Sequence, residues 1–133
     1  MNPCILYFSR TGNTKRLAEA IAELIKAPIF AIASSEPSIV DAYDTIILGT
    51  PVEGASPAKE TLAFLERMPK TEGKKAILFC TYRLFGNART LKNVEKKLTE
   101  KGYQTILKVS KKGMKPEQSA DFSEILAEIK KVM

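Results

Sequence analysis

Six mostly small polar residues follow the first apolar stretch of the chain, where a helical pattern begins. They are Ser9, Arg10, Thr11, Gly12, Asn13 and Thr14, and we call this segment the first loop (residues 9–14). A helix start presents free backbone N–H groups and the positive end of the helix dipole, and together these bind anions. The hydroxyls add donors, and glycine permits a tight turn. The first loop therefore predicts a phosphate site, although a simple helix cap is the alternative interpretation of this segment alone.

Two cations, Lys15 and Arg16, continue the first loop into the helix. In a first helical turn each opposes the dipole by about 0.3–1 kcal/mol, and a bound dianion reverses that sign. The glycine-rich motifs of P-loop and dinucleotide-binding proteins are absent. Cys4 and Arg10 match the C-x5-R spacing of tyrosine phosphatases. The residues between them read as a strand, which would separate the two by roughly 20 Å, so that interpretation fails.

The composition removes several kinds of catalyst. The 133 residues include no His and two Cys. Nucleophile systems that depend on His, His-ligated metals and four-thiolate clusters are therefore excluded. What remains is chemistry by carboxylates, Lys, a lone Cys or Tyr, or a bound organic cofactor. We predict neither a catalytic residue set nor a metal site.

The elements that would position the first loop alternate along the chain. Short apolar runs free of charge at residues 4–8, 29–32, 45–48 and 76–80 predict buried strands, and residues 105–109, interrupted by Lys108, predict an edge strand. Helical periodicity falls near residues 17–25, 58–68, 91–98 and 122–132. Such alternation predicts a parallel sheet covered on both faces, in one domain spanning residues 1–133. The second crossover, residues 34–43, has room for only a turn or two of helix.

Three segments together resemble the flavodoxin family. They are ILYFSRTGNTKRLA at residues 5–18, YDTIILGTPV at residues 43–52 and AILFCTYRLFGN at residues 76–87. With no insertion in the fifth strand, the chain is similar to the short-chain form. The resemblance implies a three-layer α/β/α fold with a five-stranded parallel sheet of order 2-1-3-4-5. It also implies FMN at the ends of strands 1, 3 and 4.

The resemblance also assigns candidate cofactor-binding residues. The first loop would hold the phosphate, and the ring would lie between the loops after strands 3 and 4. The residues of these two loops are Thr50, Pro51, Val52, Glu53 and Gly54, and Thr81, Tyr82, Arg83, Phe85, Gly86 and Asn87. A planar aromatic ligand needs an aromatic or apolar group on each face. Tyr82 is the first candidate for stacking and Phe85 the second, with plain loop packing as the alternative.

The strand 3 loop departs from the family pattern. Many members carry an aromatic residue there, whereas this chain has Glu53 and Gly54. Pro51 and Val52 would then cover that face, or it would stay open to a substrate or partner. Gly54 is a candidate for the peptide whose carbonyl approaches the reduced ring, because glycine adopts both backbone conformations cheaply.

The resemblance implies an FMN protein that carries electrons between redox partner proteins. The first alternative is an FMN-dependent oxidoreductase that acts on a quinone or a flavin. The second is a cofactor-free binding module that uses a basic face. The family's chemistry is supplied by the flavin, while the protein supplies orientation and electrostatics.

The net charge of +6 is concentrated in one part of the chain. Residues 1–72 hold seven Lys and Arg against nine Asp and Glu, whereas residues 73–133 hold fourteen against six. With Arg83 and Arg89 beside the predicted ring site, this excess favours an acidic docking partner. Few aromatics accompany it, which argues against nucleic acid. Without a long apolar run or a basic leader, we expect a cytoplasmic, membrane-free monomer with two buried thiols, Cys4 and Cys80.

Overall fold

A computed structural model describes residues 1–115 and 118–133. The strands are β1 (Pro3–Tyr7), β2 (Ile29–Ala31), β3 (Thr45–Glu53), β4 (Ser56–Pro57), β5 (Lys74–Tyr82) and β6 (Tyr103–Lys112). The helices are α1 (Asn13–Ile25), α2 (Lys59–Arg67), α3 (Asn87–Glu100) and α4 (Ser123–Val132). Two 3-10 segments, Ile32–Ser34 and Pro37–Ala42, connect β2 to β3. They confirm the predicted short crossover.

The main sheet has the order β2-β1-β3-β5-β6, and every neighbouring pair in this order is parallel. The predicted fourth and fifth strands are β5 and β6, so the predicted order 2-1-3-4-5 is confirmed. β4 was not predicted; it pairs antiparallel with the end of β3. The interrupted strand β6 lies at the sheet edge, as Lys108 indicated.

Apolar cores lie on both faces of the sheet. On one face Phe64 of α2 and Val94 of α3 pack over β1, β3 and β5. On the other, Ile21 of α1 and Ile129 of α4 pack over the alternate residues of the same strands. This arrangement is the predicted three-layer α/β/α fold. None of the described helices is long and apolar enough to cross a membrane.

Three strands continue further than their sequence pattern indicated, and one of them is β6, which ends at Lys112. β3 extends to Glu53 and β5 to Tyr82, so candidate site residues assigned to loops lie within strands. The main sheet pairs Pro51 with Thr81, and β4 pairs with the last residues of β3. The resemblance assigned residues 50–54 to a loop, but pairing with β5 at Pro51 and with β4 at Val52 and Glu53 keeps this backbone extended. Pro57 lies in β4, where it pairs with Val52 of β3.

The two cysteines are buried and free, and they lie toward opposite ends of the sheet. Cys4 aligns through Ile46 with Ala76, whereas Cys80 is opposite Thr50. Burial raises the pKa of both thiols to about 12. Both thiols therefore behave as small apolar core groups near neutral pH.

Candidate functional site

The first loop turns sharply into α1. Gly12 has φ +97° and precedes the first helical residue, Asn13. The Ser9 hydroxyl oxygen accepts hydrogen bonds from the N–H groups of Gly12 (3.0 Å) and Lys15 (3.2 Å). The N–H groups of Asn13 and Thr14 have no acceptor inside the helix, because the first turn lacks preceding carbonyls. With no acidic side chain in that turn, the helix start can bind an anion.

Two side chains of the first loop reach across the sheet. The buried hydroxyls of Thr14 and Thr81 are 2.8 Å apart, which joins the start of α1 to the end of β5. Asn13 Nδ2 donates to the Met114 carbonyl at 3.1 Å. Asn13 Oδ1 is buried and has no hydrogen-bond partner among the described residues. A donor from a bound ligand would satisfy this oxygen.

Arg10 takes part in an ion-pair network. Its guanidinium forms two hydrogen bonds with Glu53, at 2.8 and 2.9 Å, and two with Glu60, at 2.8 and 3.0 Å. It also lies over the Phe8 ring, 4.8 Å from the centroid. The hydrogen bonds with Glu53 and Glu60 raise the pKa of Arg10 above its usual value, and the hydrogen bonds from Arg10 lower the pKa of Glu60. The structure thus directs Arg10 to carboxylates, whereas the sequence suggested a phosphate contact.

β3 and β4 form a tight hairpin beside Arg10. Gly54 and Ala55 connect the paired residues Glu53 and Ser56, with φ values of +60° and +61°. Two consecutive positive φ values are typical of the type I′ hairpin turn. For Ala55 this conformation costs about 1–2 kcal/mol. Such strain persists only where the surrounding structure holds it in place.

Thr50 lies beneath this hairpin and does not line the cavity. Its buried hydroxyl oxygen accepts from the Ala58 N–H (3.2 Å) and the Thr61 hydroxyl (2.9 Å). It also donates to the Pro51 carbonyl at 3.0 Å. These bonds connect the end of β3 to the start of α2. In the structure Thr50 therefore supports the hairpin from below.

The loop between β5 and α3 faces the hairpin. Leu84 and Phe85 project outward, with 73% and 71% of their surface exposed. Gly86, at φ +94°, packs so closely that a Cβ there would lie 2.8 Å from the Ala55 Cα. Asn87 Nδ2 donates to the Ser110 hydroxyl at 3.0 Å. Gly86 and Asn87 therefore fix the loop to its neighbours.

A cavity of about 620 Å3 lies where these loops converge, within the range of small-molecule sites. It is lined by Arg10, Thr11, Asn13, Pro51, Val52, Glu53, Thr81, Tyr82, Arg83, Leu84, Gly113, Met114 and Lys115. All three predicted segments contribute to it. Ser9 and Gly12 instead line a second cavity of about 210 Å3 beside the first loop. Thr14, Gly54 and Phe85 line neither.

The segment after β6 forms a wall that sequence reasoning missed. Gly113 N–H donates to the Tyr82 carbonyl at 2.9 Å, which directs Met114 and Lys115 into the cavity lining. Arg16 donates to the carbonyls of Lys115 and Gln118. The carboxyl ends of parallel strands share one edge, so the end of the fifth predicted strand could have indicated these residues.

The lining fits a flavin mononucleotide. Pro51 and Val52 offer apolar surface on one side, and Tyr82 offers an aromatic ring at the end of the neighbouring strand β5. The start of α1 can bind the phosphate, and a ribityl hydroxyl could donate to the unpartnered Asn13 Oδ1. The residues present thus match the cofactor's apolar ring, its hydroxyls and its dianion.

Comparison with known proteins identifies similar chains. A family model described as a flavodoxin domain matches residues 4–117. A flavodoxin from Megasphaera elsdenii is 31% identical over 86 residues. The match covers 59% of this chain and 63% of that flavodoxin, which is less than two thirds of its length. An uncharacterised protein of Methanocaldococcus jannaschii is 32% identical over 108 residues, covering 80% of this chain and 71% of its own. Oxidised flavodoxin 1 from Bacillus cereus superposes with a TM-score of 0.78 at 28% identity, covering 98% of both chains.

Proposed function

The chain belongs to the flavodoxin family, and on this premise we propose that residues 1–133 bind FMN and transfer electrons between redox partner proteins. The cavity at the carboxyl ends of β1, β3 and β5, open to the start of α1, carries this proposal. In parallel α/β sheets such an edge is where ligands bind. When bound, the flavin supplies the one- and two-electron redox chemistry.

The first loop would hold the phosphate through its backbone. The N–H groups of Asn13 and Thr14 and the Thr11 hydroxyl provide donors at the positive end of α1. Ser9 keeps the turn in shape through its bonds to Gly12 and Lys15. A dianion here would also offset the unfavourable interaction of Lys15 and Arg16, in the first helical turn, with the helix dipole.

The ring would lie between the hairpin and the end of β5. Tyr82 would stack on one face, and Pro51 with Val52 would cover the other. A Cβ at Gly54 would meet nothing within 4 Å, and glycine adopts its φ of +60° without strain. In our proposal Thr50, Gly86 and Asn87 act by positioning these walls.

Partner proteins would approach near the exposed tip of the β5–α3 loop. Leu84 and Phe85 offer apolar surface there, and Arg83 lies beside them in the cavity lining. Apolar side chains bordered by a cation favour a partner with an apolar contact ringed by carboxylates. The excess positive charge of residues 73–133 supports the same chemistry.

The visible spectrum of the freshly purified protein tests FMN binding. We expect the two absorption bands of an oxidised flavin, and quenching of FMN fluorescence when FMN is added to stripped protein. Colourless protein that leaves FMN fluorescence unchanged would reject the proposal and favour the cofactor-free binding module. Steady turnover with NAD(P)H and a quinone, without a partner protein, would favour the oxidoreductase alternative.

A further inference from the structure

Arg10 occupies a bridging position between three elements around the cavity. It belongs to the first loop, yet four hydrogen bonds tie its guanidinium to Glu53 and Glu60, 43 and 50 residues further along. An arginine has five N–H donors, so most of its hydrogen-bonding capacity is used on these carboxylates. Little remains for a phosphate.

The two carboxylates lie on either side of the hairpin turn and β4. Glu53 is the last residue of β3 and precedes Gly54 directly, while Glu60 is the second residue of α2. The segment between them contains the turn with two positive φ values. Arg10 therefore fastens the hairpin on both sides to the loop that follows β1.

The geometry makes this contact stronger than an ordinary surface ion pair. The Arg10, Glu53 and Glu60 side chains are 44%, 36% and 31% exposed, so water screens them in part. Isolated surface pairs of this kind contribute little to stability. Here the guanidinium forms paired hydrogen bonds with both carboxylates and packs on the Phe8 ring. These contacts fix its orientation, which a single charge–charge contact would not do.

We propose that Arg10 is a positioning residue that holds the hairpin against the cavity before the cofactor binds. This inference rests on the proposed FMN function. By fixing Glu53, Arg10 keeps Pro51 and Val52 in place as one wall for the ring. Its effect on flavin binding then arises from preorganisation, which lowers the cost of ordering the site.

Comparing FMN with riboflavin separates positioning from phosphate contact, because riboflavin lacks the phosphate. We expect Arg10→Gln to raise the dissociation constants for both flavins by a similar factor, about three- to tenfold. Glu53→Gln and Glu60→Gln should also raise both dissociation constants. The double variant Arg10→Gln/Glu53→Gln should bind both flavins no more weakly than Arg10→Gln alone. Arg67→Gln, which breaks an exposed pair with Glu36 at 3.6 Å, is the matched control and should leave both constants unchanged.

Hydrogen exchange of the flavin-free protein gives a readout independent of the cofactor. Arg10→Gln and Glu53→Gln should speed amide exchange across residues 52–58, whereas Arg67→Gln should not. Loss of FMN affinity with riboflavin affinity unchanged would identify Arg10 as a phosphate ligand and overturn the inference. Unaltered exchange in the hairpin would overturn it as well. If the wild type binds neither flavin, the proposed function fails, while the exchange data still decide whether Arg10 holds the hairpin.

Discussion

The two walls of the cavity differ in how their polar and charged side chains are placed. The hairpin wall, residues 50–57, has its carboxylate Glu53 bound by Arg10 and its Thr50 hydroxyl bonded beneath the turn. The loop wall, residues 81–87, presents exposed Leu84 and Phe85, and Arg83 there makes no ion pair with a described residue. Internal pairing suits a wall that shapes a ligand site. Exposed apolar and cationic groups suit a wall that meets another molecule.

Disrupting the contact between the two walls should have the largest effect on stability. Gly86→Ala places a Cβ 2.8 Å from the Ala55 Cα and forces an L-residue to φ +94°. Backbone strain and the clash together should lower the free energy of unfolding by about 2–4 kcal/mol, measured by urea denaturation. Gly12→Ala is the matched control, since its φ is +97° with nothing within 4 Å of the new Cβ. It should cost only about 1–2 kcal/mol, and equal losses in both variants would show that the walls are not in contact.

Replacing each of the two aromatic residues of the loop wall should show which of them stacks on the flavin ring. Tyr82 lines the cavity, whereas Phe85 is 71% exposed and lies outside the lining. Tyr82→Ala should therefore weaken FMN binding about two- to tenfold, as expected for a lost aromatic contact of about 0.5–1.5 kcal/mol. Phe85→Ala should change it less than about twofold. A larger loss for Phe85 in fluorescence titration would move the stacking role to the tip of the loop.

Arg83, the exposed cation of the loop wall, should affect the potential of the reduced flavin. Arg83 is exposed, so at about 4 Å in a water-like dielectric it would stabilise the negative charge that reduction adds by about 1 kcal/mol. Arg83→Ala should then lower the second reduction potential by about 40 mV. Arg10 should matter less in this respect, because Glu53 and Glu60 offset its charge. A redox titration that finds the Arg83→Ala potential unchanged or raised would mean that Arg83 lies away from the ring.

The smallest expected effect is a change in the pKa of Glu60, which is hydrogen-bonded to Arg10. Its hydrogen bonds from Arg10 lower its pKa below the usual 4.5. A lowered folded-state pKa stabilises the fold above about pH 4.5, and this contribution is lost as the pH falls through the folded value. NMR titration of the carboxyl group should show the Glu60 pKa rising toward 4.5 in Arg10→Gln. A pKa that stays where it is in the wild type would exclude Arg10 as its cause.

Local patterns in the sequence predict the framework of this protein well. The apolar runs and helical periods place the five main strands, and residues 9–12 of the first loop precede α1, which already includes Asn13 and Thr14. The hairpin could not be predicted in this way, because Ala55 at positive φ has no local marker. The Arg10 network depends on residues more than forty positions away. Met114 enters the site because β6 ends beside Tyr82, and the shared edge of the parallel strands is the one signal in the sequence that could have indicated it.

Fluorescence titration of FMN and riboflavin with stripped wild-type protein tests the central claim most directly. The account predicts saturable quenching of FMN fluorescence at one flavin per chain, with riboflavin bound at least about tenfold more weakly, because only FMN places a dianion at the start of α1. Equal affinity for both flavins would contradict the assignment of the first loop to the phosphate. Fluorescence of FMN that remains unquenched at every protein concentration would contradict the account as a whole.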